Sequence, residues 1–182
     1  MVYNVDFESG RINWERELHR GVPPIAKHIK NTFASETPVT DGERVYVYLG
    51  DIGLFAFEFD GAPAWSVPME WLPRRDWGSA TSPALHDGRL YVVNDNTTES
   101  FLIALDTATG DTVWRVVREE TENWSPPWPS ATQADSYPSS SATFTHSTIS
   151  WGGVPPENPT PIRSIFGPPH AEPIQFLIIS WH

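Results

Sequence analysis

An internal repeat is the feature of this 182-residue chain that most restricts what it can fold into. Residues 37–45 (TPVTDGERV) match residues 82–90 (SPALHDGRL) at an offset of 45, and residues 55–60 match residues 101–106 at an offset of 46. A design that recurs at a fixed period indicates structural units that bury their apolar faces against one another. We therefore expect a row of similar units along the chain.

Each unit has the sequence pattern of a small antiparallel sheet. Its apolar runs alternate with period two and are rich in Val, Tyr, Phe and Ile, which is typical of β-strands. Turn residues separate the runs, as at Asp41-Gly42, Asp60-Gly61, Asp87-Gly88 and Thr109-Gly110. A period of about 45–50 residues suits one blade of a β-propeller. We predict an all-β fold with about two and a half four-stranded antiparallel blades.

A tryptophan closes each unit. Trp14, Trp65 and Trp114 stand 51 and 49 residues apart, so the residue recurs with the period of the blade. Such a side chain is expected to pack against a neighbouring sheet, with its indole N–H bonded to a backbone carbonyl, and not to stack on a ligand. The predicted structural residues of the repeat are Trp14, Trp65, Asp106, Thr109, Gly110 and Trp114.

The last complete unit carries a recognisable motif. Residues 104–114 (ALDTATGDTVW) resemble the tryptophan-docking motif of quinoprotein propellers, A-x-D-x-x-T-G-x-x-x-W, and residues 5–14 are a variant with Ser9 at the Thr position. The turn before Trp65 is a shortened form. Over residues 1–127 the chain is similar to the PQQ-like β-propeller repeat proteins of bacteria, the BamB-like quinoprotein family.

The composition changes after Pro127. Residues 125–182 hold 11 of the 18 prolines but only four charged side chains. We predict PQQ-like repeats over 1–127 and an irregular, low-complexity Pro/Ser-rich tail over 128–182. The tail is either a disordered extension or a segment translated in the wrong frame, and the break inside a repeat favours the frame error. Translation of the other two frames of the gene tests this.

Charge and composition exclude several classes of function. A net charge of -11 and a pI near 4.8 predict no nucleic-acid partner, because such a chain repels phosphates. The absence of cysteine excludes disulfides and Cys-based zinc sites. No apolar stretch approaches the ~18 residues of a transmembrane segment, and residues 1–20 contain no signal peptide. The first strand-like run of the sequence corresponds to the third strand of a blade. We therefore expect the missing blades in a longer parent protein.

Two segments are candidates for binding chemistry. Residues 94–99 (NDNTTE) offer the oxygen ligands that Ca²⁺ prefers, but they lack the calcium-loop spacing, which favours a polar hairpin loop. The longer connection between two blades carries Trp71, Arg74, Arg75 and Trp77, which could contact an anion or a sugar. The alternative for this connection is an inter-blade loop with an internal Arg–Asp pair. The six histidines show no metal-binding spacing.

The resemblance implies a function that the composition only permits. It implies a non-enzymatic scaffold in the periplasm or cell envelope that binds a protein or a small ligand and has no catalytic, cofactor-binding or metal residue. The alternative is a fragment of a PQQ-dependent alcohol or sugar dehydrogenase, which would use PQQ and calcium. That family's catalytic Asp and calcium ligands map onto no position of this chain. A WD40-like propeller is disfavoured because Trp65 and Trp114 are not followed by Asp.

Overall fold

The computed structural model describes residues 1–21, 28–29, 32–50, 52–69, 78–121 and 123–127, together with the backbone of 175–179. All regular secondary structure in these ranges is β-strand, which confirms the predicted all-β fold. The strands are β1 (Val2–Asp6), β2 (Ile12–Arg16), β3 (Val39–Thr40), β4 (Arg44–Leu49), β5 (Gly53–Glu58), β6 (Pro63–Pro68), β7 (Ala84–His86), β8 (Arg89–Asn94), β9 (Ser100–Asp106), β10 (Thr112–Arg118) and β11 (Gln175–Ile179). A search of this part of the chain for a helix able to span a bilayer finds none.

The strands form three antiparallel sheets. Sheet A has the order β11-β1-β2, sheet B the order β3-β4-β5-β6, and sheet C the order β7-β8-β9-β10. Sheets B and C are complete four-stranded meanders, the arrangement of propeller blades, and they correspond to the two matching copies of the repeat. The outer strand of sheet B, β6, begins at Pro63 and ends at Pro68.

The registers of sheets B and C repeat as well. Arg44 lies opposite Glu58 in sheet B, and Arg89 lies opposite Asp106 in sheet C. Glu58 therefore takes the place of Asp106, and the sequence match of residues 55–60 with 101–106 is displaced by two residues from the structural one. In sheet B the pair is a salt bridge, with 2.8 Å between Arg44 Nε and Glu58 Oε1. Each arginine begins the second strand of its sheet, so the same charged residue sets the start of the same strand in both copies.

A β-bulge precedes the tryptophan in all three sheets. The outer-strand register shifts beside Asn4/Val5 in sheet A, beside Ala56/Phe57 in sheet B, and between Thr112 and Trp114 in sheet C. A bulge places an extra residue in one strand and turns the following side chain. The register shift therefore recurs directly before the tryptophan in each of the three sheets.

Apolar side chains on the facing surfaces of the sheets form the core. Between sheets A and B, Val2 and Trp14 pack with residues of β4 and β5 that include Val47 and Phe57. Between sheets B and C, the alternate side chains of β4 and β5 pack against Leu90, Val92, Phe101, Ile103 and Leu105. Because neighbouring residues of β4 and β5 serve opposite interfaces, sheet B is buried on both faces.

The antiparallel topology gives the sheets two different ends. The turn end carries the tight turns 7–11, 41–43, 59–62, 87–88 and 107–111, whereas the connection end carries the β4–β5 and β8–β9 hairpins and the chain segments that lead from one sheet to the next. At the turn end, Asp87 (φ 48°) and Gly88 (φ 68°) both have positive φ. This two-residue hairpin turn matches the twist of its strands.

The segment predicted as an irregular tail contributes one strand to the structure. Strand β11 pairs with β1 through five residues, Val2 to Asp6 opposite Ile179 to Gln175. The sequence pattern did not predict this strand. Residues 128–174 and 180–182 lie outside the described residues, so the nature of the tail stays a prediction.

Candidate functional site

Two indoles reach across to the turn of the next sheet. Trp14, on β2, donates its Nε1–H to the carbonyl oxygen of Phe59 at 2.8 Å. Trp65, on β6, donates its Nε1–H to the carbonyl oxygen of Thr107 at 2.9 Å. Both acceptors lie at the turn end, directly after the third strand of the receiving sheet. The same contact therefore joins sheet A to sheet B and sheet B to sheet C.

A glycine lies beneath each indole. A Cβ atom at Gly61 would stand 2.6 Å from Cδ2 of Trp14, and one at Gly110 would stand 2.8 Å from Cδ2 of Trp65. Real side chains do not approach so closely, and both glycines also have positive φ, at 82° and 78°. These positions require glycine for the turn and for the close approach of the ring.

The turn that receives Trp65 is held by the aspartate of the motif. Asp106 Oδ1 accepts hydrogen bonds from the backbone N–H groups of Ala108 (2.9 Å) and Thr109 (3.1 Å), and the Gly110 N–H bonds to the Asp106 carbonyl. Thr109 Oγ1 also bonds to Asp111 Oδ2 at 2.9 Å. The carboxylate thus fixes the loop on which the carbonyl of Thr107 is presented.

The first copy of the motif forms the same turn. Asp6 Oδ1 accepts from the Ser9 N–H at 2.8 Å, and the Gly10 N–H bonds to the Asp6 carbonyl at 2.9 Å. Hydrogen bonds from the Ser9 side chain and backbone hold the pKa of Asp6 below its ordinary value. Ser9 therefore takes the place of Thr109 without a change in the turn.

Tyr46 adds a second link at the contact between sheets B and C. Its ring lies 5.8 Å from that of Trp65, and its hydroxyl donates to Asp41 Oδ2 at 2.6 Å, with the Thr107 carbonyl 3.3 Å away. Burial and the hydrogen bond to Asp41 raise the pKa of Tyr46 above its ordinary range. Burial acts to raise the pKa of Asp41, but the bonds from Tyr46 and from the Arg44 and Glu43 backbone outweigh it and lower that pKa.

Trp114 occupies the equivalent place on sheet C. Its ring lies 5.9 Å from that of Tyr91, a separation that matches the Tyr46–Trp65 pair. It packs on the face of sheet C that points away from sheet B, beside Val93, Leu102 and Ala104. Of the six residues predicted as structural elements of the repeat, Trp14 and Trp65 contact the next sheet, Asp106, Thr109 and Gly110 form the turn that receives Trp65, and Trp114 packs on its own sheet.

A buried polar network stands at the connection end. Asn94 donates its side-chain N–H to the Tyr48 hydroxyl at 3.1 Å and to the Gly50 carbonyl at 3.4 Å, which joins sheet C to sheet B. The Gly50 N–H in turn bonds to Oε1 of the buried Glu36 at 3.2 Å. Buried hydrogen bonds between elements favour one arrangement of the elements they join. Asn94 was predicted only as part of a loop, and its position at the end of an apolar strand was the available signal.

A small cavity lies beside this network. It is lined by the two segments that connect neighbouring sheets, through residues such as Glu36, Gly78 and Ser79, and by Leu49, Gly50 and Ile52 of the β4–β5 hairpin. It leaves about 20 Å³ for the centres of water molecules. That volume suits roughly one ordered water.

The oxygen-rich loop 94–99 does not fit a calcium ion. Asn96 Oδ1 accepts from the backbone N–H groups of Thr98 and Glu99, both at 2.8 Å. The buried carboxylate of Asp95 binds Arg118, at 2.8 Å from Oδ1 to Nε. These oxygens serve the hairpin itself, which agrees with the interpretation of residues 94–99 as a polar hairpin loop. Among the described residues there is no group of three or more His, Asp or Glu side chains able to hold a metal ion.

The proposed ligand-contact residues Trp71, Arg74, Arg75 and Trp77 lie outside the described residues. The described chain on either side of them ends at Met69 and resumes at Gly78. Gly78 accepts a hydrogen bond from Trp124 Nε1 at 3.1 Å and lines the small cavity. The segment that carries the four residues therefore starts and finishes at the connection end.

Comparisons with known proteins identify the family. A family model described as "Outer membrane protein assembly factor BamB" matches residues 1–143, which extends past Pro127. No curated protein matches the chain. The proposed boundary at residue 127 remains a prediction.

Three solved structures illustrate the similarity. The quinohemoprotein alcohol dehydrogenase ADHIIG of Pseudomonas putida HK5 is 25% identical over 44% of this chain and 12% of its own, with a TM-score of 0.38. The quinohemoprotein alcohol dehydrogenase of Comamonas testosteroni is 18% identical over 64% and 18%, with a TM-score of 0.43. BamB from Moraxella catarrhalis is 15% identical over 65% and 46%, with a TM-score of 0.38.

The chain thus spans less than half the length of each of these proteins. The family assignment instead follows from the match over residues 1–143, which is well over half of the 182 residues. This match agrees with the two complete blade-like sheets and with the repeated turn. The chain belongs to the BamB-like family of PQQ-like β-propeller repeat proteins.

Proposed function

We propose that this chain is a non-enzymatic binding scaffold of the bacterial envelope that presents its connection end to a protein partner. The description of the matching family, an outer membrane assembly factor, supports a role in protein assembly. We further propose that the contacts of Trp14 and Trp65 dock successive sheets, so that these indoles serve the scaffold and not a ligand.

The observation that carries the proposal is the buried network beneath the connection end. Asn94, Tyr48 and Gly50 tie two sheets together, and Asp95 and Arg118 anchor the β8–β9 hairpin on the same side. The tip of that hairpin, residues 97–99, is exposed above them. A fixed base with exposed loops is the arrangement that protein scaffolds use to position binding residues.

The predicted contact residues fit this surface by their position in the chain. Trp71, Arg74, Arg75 and Trp77 belong to the connection between β6 and β7, whose described flanks lie at the same end as the β8–β9 hairpin tip. Tryptophan and arginine are the residues most enriched at the energetic centres of protein interfaces. The acidic chain would then contact its partner through one of its few basic segments.

Site-specific photo-cross-linking in the cell envelope tests the proposal. A photoreactive residue at position 74 or 97, on the connection end, is expected to give one discrete adduct with an envelope protein. The matched control positions are 8 and 108, which are exposed at the turn end. Equal adducts at both ends, or none at positions 74 and 97, would overturn the assignment of the binding surface.

An activity assay on the purified protein distinguishes a scaffold from a fragment of a PQQ-dependent dehydrogenase. It is incubated with PQQ, calcium chloride and an alcohol or sugar, and reduction of an artificial electron acceptor is followed. We expect the acceptor to be reduced no faster than in a control reaction that contains PQQ but no protein. A PQQ-dependent rate that scales with protein concentration would contradict a non-enzymatic role.

A further inference from the structure

Three Asp-Gly pairs occur in the sequence, and all three lie in turns at the turn end: Asp41-Gly42, Asp60-Gly61 and Asp87-Gly88. Aspartate before glycine converts spontaneously to isoaspartate, because the unhindered backbone nitrogen of glycine attacks the carboxyl carbon of the aspartate side chain. The reaction needs a free carboxyl group, a free glycine N–H and a backbone able to leave its conformation. The three turns differ in all of these requirements.

In the first pair, hydrogen bonds hold both reacting groups. Asp41 Oδ1 accepts from the Arg44 N–H at 2.8 Å, and Asp41 Oδ2 accepts from the Tyr46 hydroxyl at 2.6 Å. The N–H of Gly42 donates to Thr40 Oγ1 at 3.2 Å. The carboxyl group must therefore break several bonds before its carbon can turn toward the glycine nitrogen, and that nitrogen is itself engaged.

The second pair is held in a similar way. Asp60 Oδ1 accepts from the Ala62 N–H at 2.8 Å, and the Gly61 N–H donates to the Glu58 carbonyl oxygen at 2.8 Å. Gly61 also lies beneath the Trp14 indole, where no space is left for a shift of the backbone toward the ring. The docked indole thus protects this pair in addition to the hydrogen bonds.

The third pair has neither form of protection. Asp87 and Gly88 are exposed, and within the described residues no hydrogen bond is found to the Asp87 carboxylate or from the Gly88 N–H. Asp87 is also the one non-glycine residue of the described chain with positive φ, at 48°. An L-residue adopts this conformation at an energetic cost, so the turn loses less stability when Asp87 leaves it.

The same turn supports the contact of Trp65 with sheet C. The Gly88 carbonyl oxygen accepts hydrogen bonds from the Thr107 N–H at 3.1 Å and from Thr107 Oγ1 at 3.0 Å. The Thr107 carbonyl oxygen in turn accepts the indole N–H of Trp65 at 2.9 Å. An extra backbone atom before Gly88 would displace its carbonyl group and so release the residue on which the indole is anchored.

We propose that Asp87 is a site of spontaneous isoaspartate formation and that the product loosens the contact between sheets B and C. The Gly88 nitrogen attacks Cγ of the protonated Asp87 carboxyl group and bonds to it, while the N–H proton and the carboxyl hydroxyl leave as water. Water then adds to the former main-chain carbonyl of the succinimide ring, and the bond from that carbonyl to nitrogen breaks. The product has the same atoms as the original protein, but its chain runs through Cβ of residue 87.

Prolonged incubation of the full-length protein in warm neutral buffer tests the site, with isoaspartate located by peptide mapping and electron-transfer fragmentation. Isoaspartate should accumulate at position 87 before it is detectable at positions 41 and 60. The same incubation in guanidinium chloride is the control for local sequence, and there the preference for position 87 should be lost. Earlier accumulation at position 41 or 60 in the folded protein, or a preference of the same size in the denaturant, would overturn the proposal.

Two asparagine variants give a faster matched comparison, because asparagine forms the same ring with loss of ammonia. Deamidation, measured as an increase in mass, should be faster in Asp87→Asn than in Asp60→Asn. Amide hydrogen exchange measures the consequence: in aged samples the fraction of molecules with an unprotected Thr107 amide should equal the fraction with isoaspartate at position 87. Equal deamidation of the two variants, or full protection of Thr107 in isomerised molecules, would contradict the proposal.

Discussion

The contact between sheets A and B and the contact between sheets B and C use the same indole but different supporting groups. At the first contact, Arg16 Nε donates to the Gly61 carbonyl at 2.7 Å beside the Trp14 bond. At the second, the Tyr46 hydroxyl lies beside the Trp65 bond and shares its acceptor, Thr107. The repeat therefore keeps the ring and the glycine beneath it, whereas the second donor comes from a different strand in each case.

The glycine beneath the ring should give the largest effect. Gly110→Ala combines a strained backbone with a Cβ atom 2.8 Å from Trp65, and we expect a loss of about 3 kcal/mol in the free energy of unfolding. Gly88→Ala is the matched control, because Gly88 has a similar φ of 68° and no heavy atom near its missing side chain. It should cost only about 1 kcal/mol. Urea denaturation measures both, and equal costs would show that the indole can move away.

The indole itself should give the next effect. Trp65→Phe removes the N–H that binds Thr107 and part of the buried ring, with an expected cost of about 2 kcal/mol. Trp14→Phe should cost a similar amount if Arg16 and Tyr46 support their contacts equally. A difference larger than about 1 kcal/mol between the two variants in the same denaturation experiment would show that one support is stronger.

Tyr46→Phe tests the second contact alone. The loss of the bonds to Asp41 and Thr107 should cost about 1 kcal/mol near neutral pH. Because the pKa of Tyr46 is raised, its contribution is fully present below its unfolded pKa of about 10 and is lost as the pH rises above it.

Unfolding measured between pH 8 and pH 11 checks this dependence. The unsubstituted protein should lose stability more steeply than the Tyr46→Phe variant over the upper part of the range. Equal pH dependence of the free energy of unfolding in the two proteins would mean that deprotonation of Tyr46 does not weaken this contact.

The smallest effect is expected at the edge of sheet A. Gln175→Arg would restore the Arg–acid pairing that sheet B has between Arg44 and Glu58, opposite Asp6. Cross-strand ion pairs contribute about 0.2–1 kcal/mol, so we expect a gain near the lower end of that range that weakens in high salt. Gln175→Glu is the control with the opposite sign. A gain with Glu as large as that with Arg would argue against the register.

The repeat and its turns could be predicted from the sequence because both depend on local patterns. The period of the apolar runs gave the strands of sheets B and C, and Asp-Gly pairs marked the hairpin turns. The predicted period-two alternation is present in β5, where Leu54 and Ala56 face sheet C and Phe55 and Phe57 face sheet A. These features need no knowledge of which residues meet in space.

The remaining features depend on contacts between distant parts of the chain. The close fit of Gly110 beneath Trp65 and the link from Asn94 to Tyr48 join residues about 45 positions apart, and a turn glycine or a loop asparagine looks the same without its partner. Strand β11 was overlooked although Phe176 to Ile179 form a short apolar run with β-branched residues. The sequence around it is rich in proline, which is typical of irregular structure. An apolar run of five residues predicts a strand only weakly.

The prolines that bound β6 have a consequence for how the protein behaves when it is crowded. Pro63 and Pro68 mark the two limits of the outermost strand of sheet B, and neither residue has an N–H to offer a passing chain. Lateral growth of that sheet into a fibril is therefore discouraged at its margin.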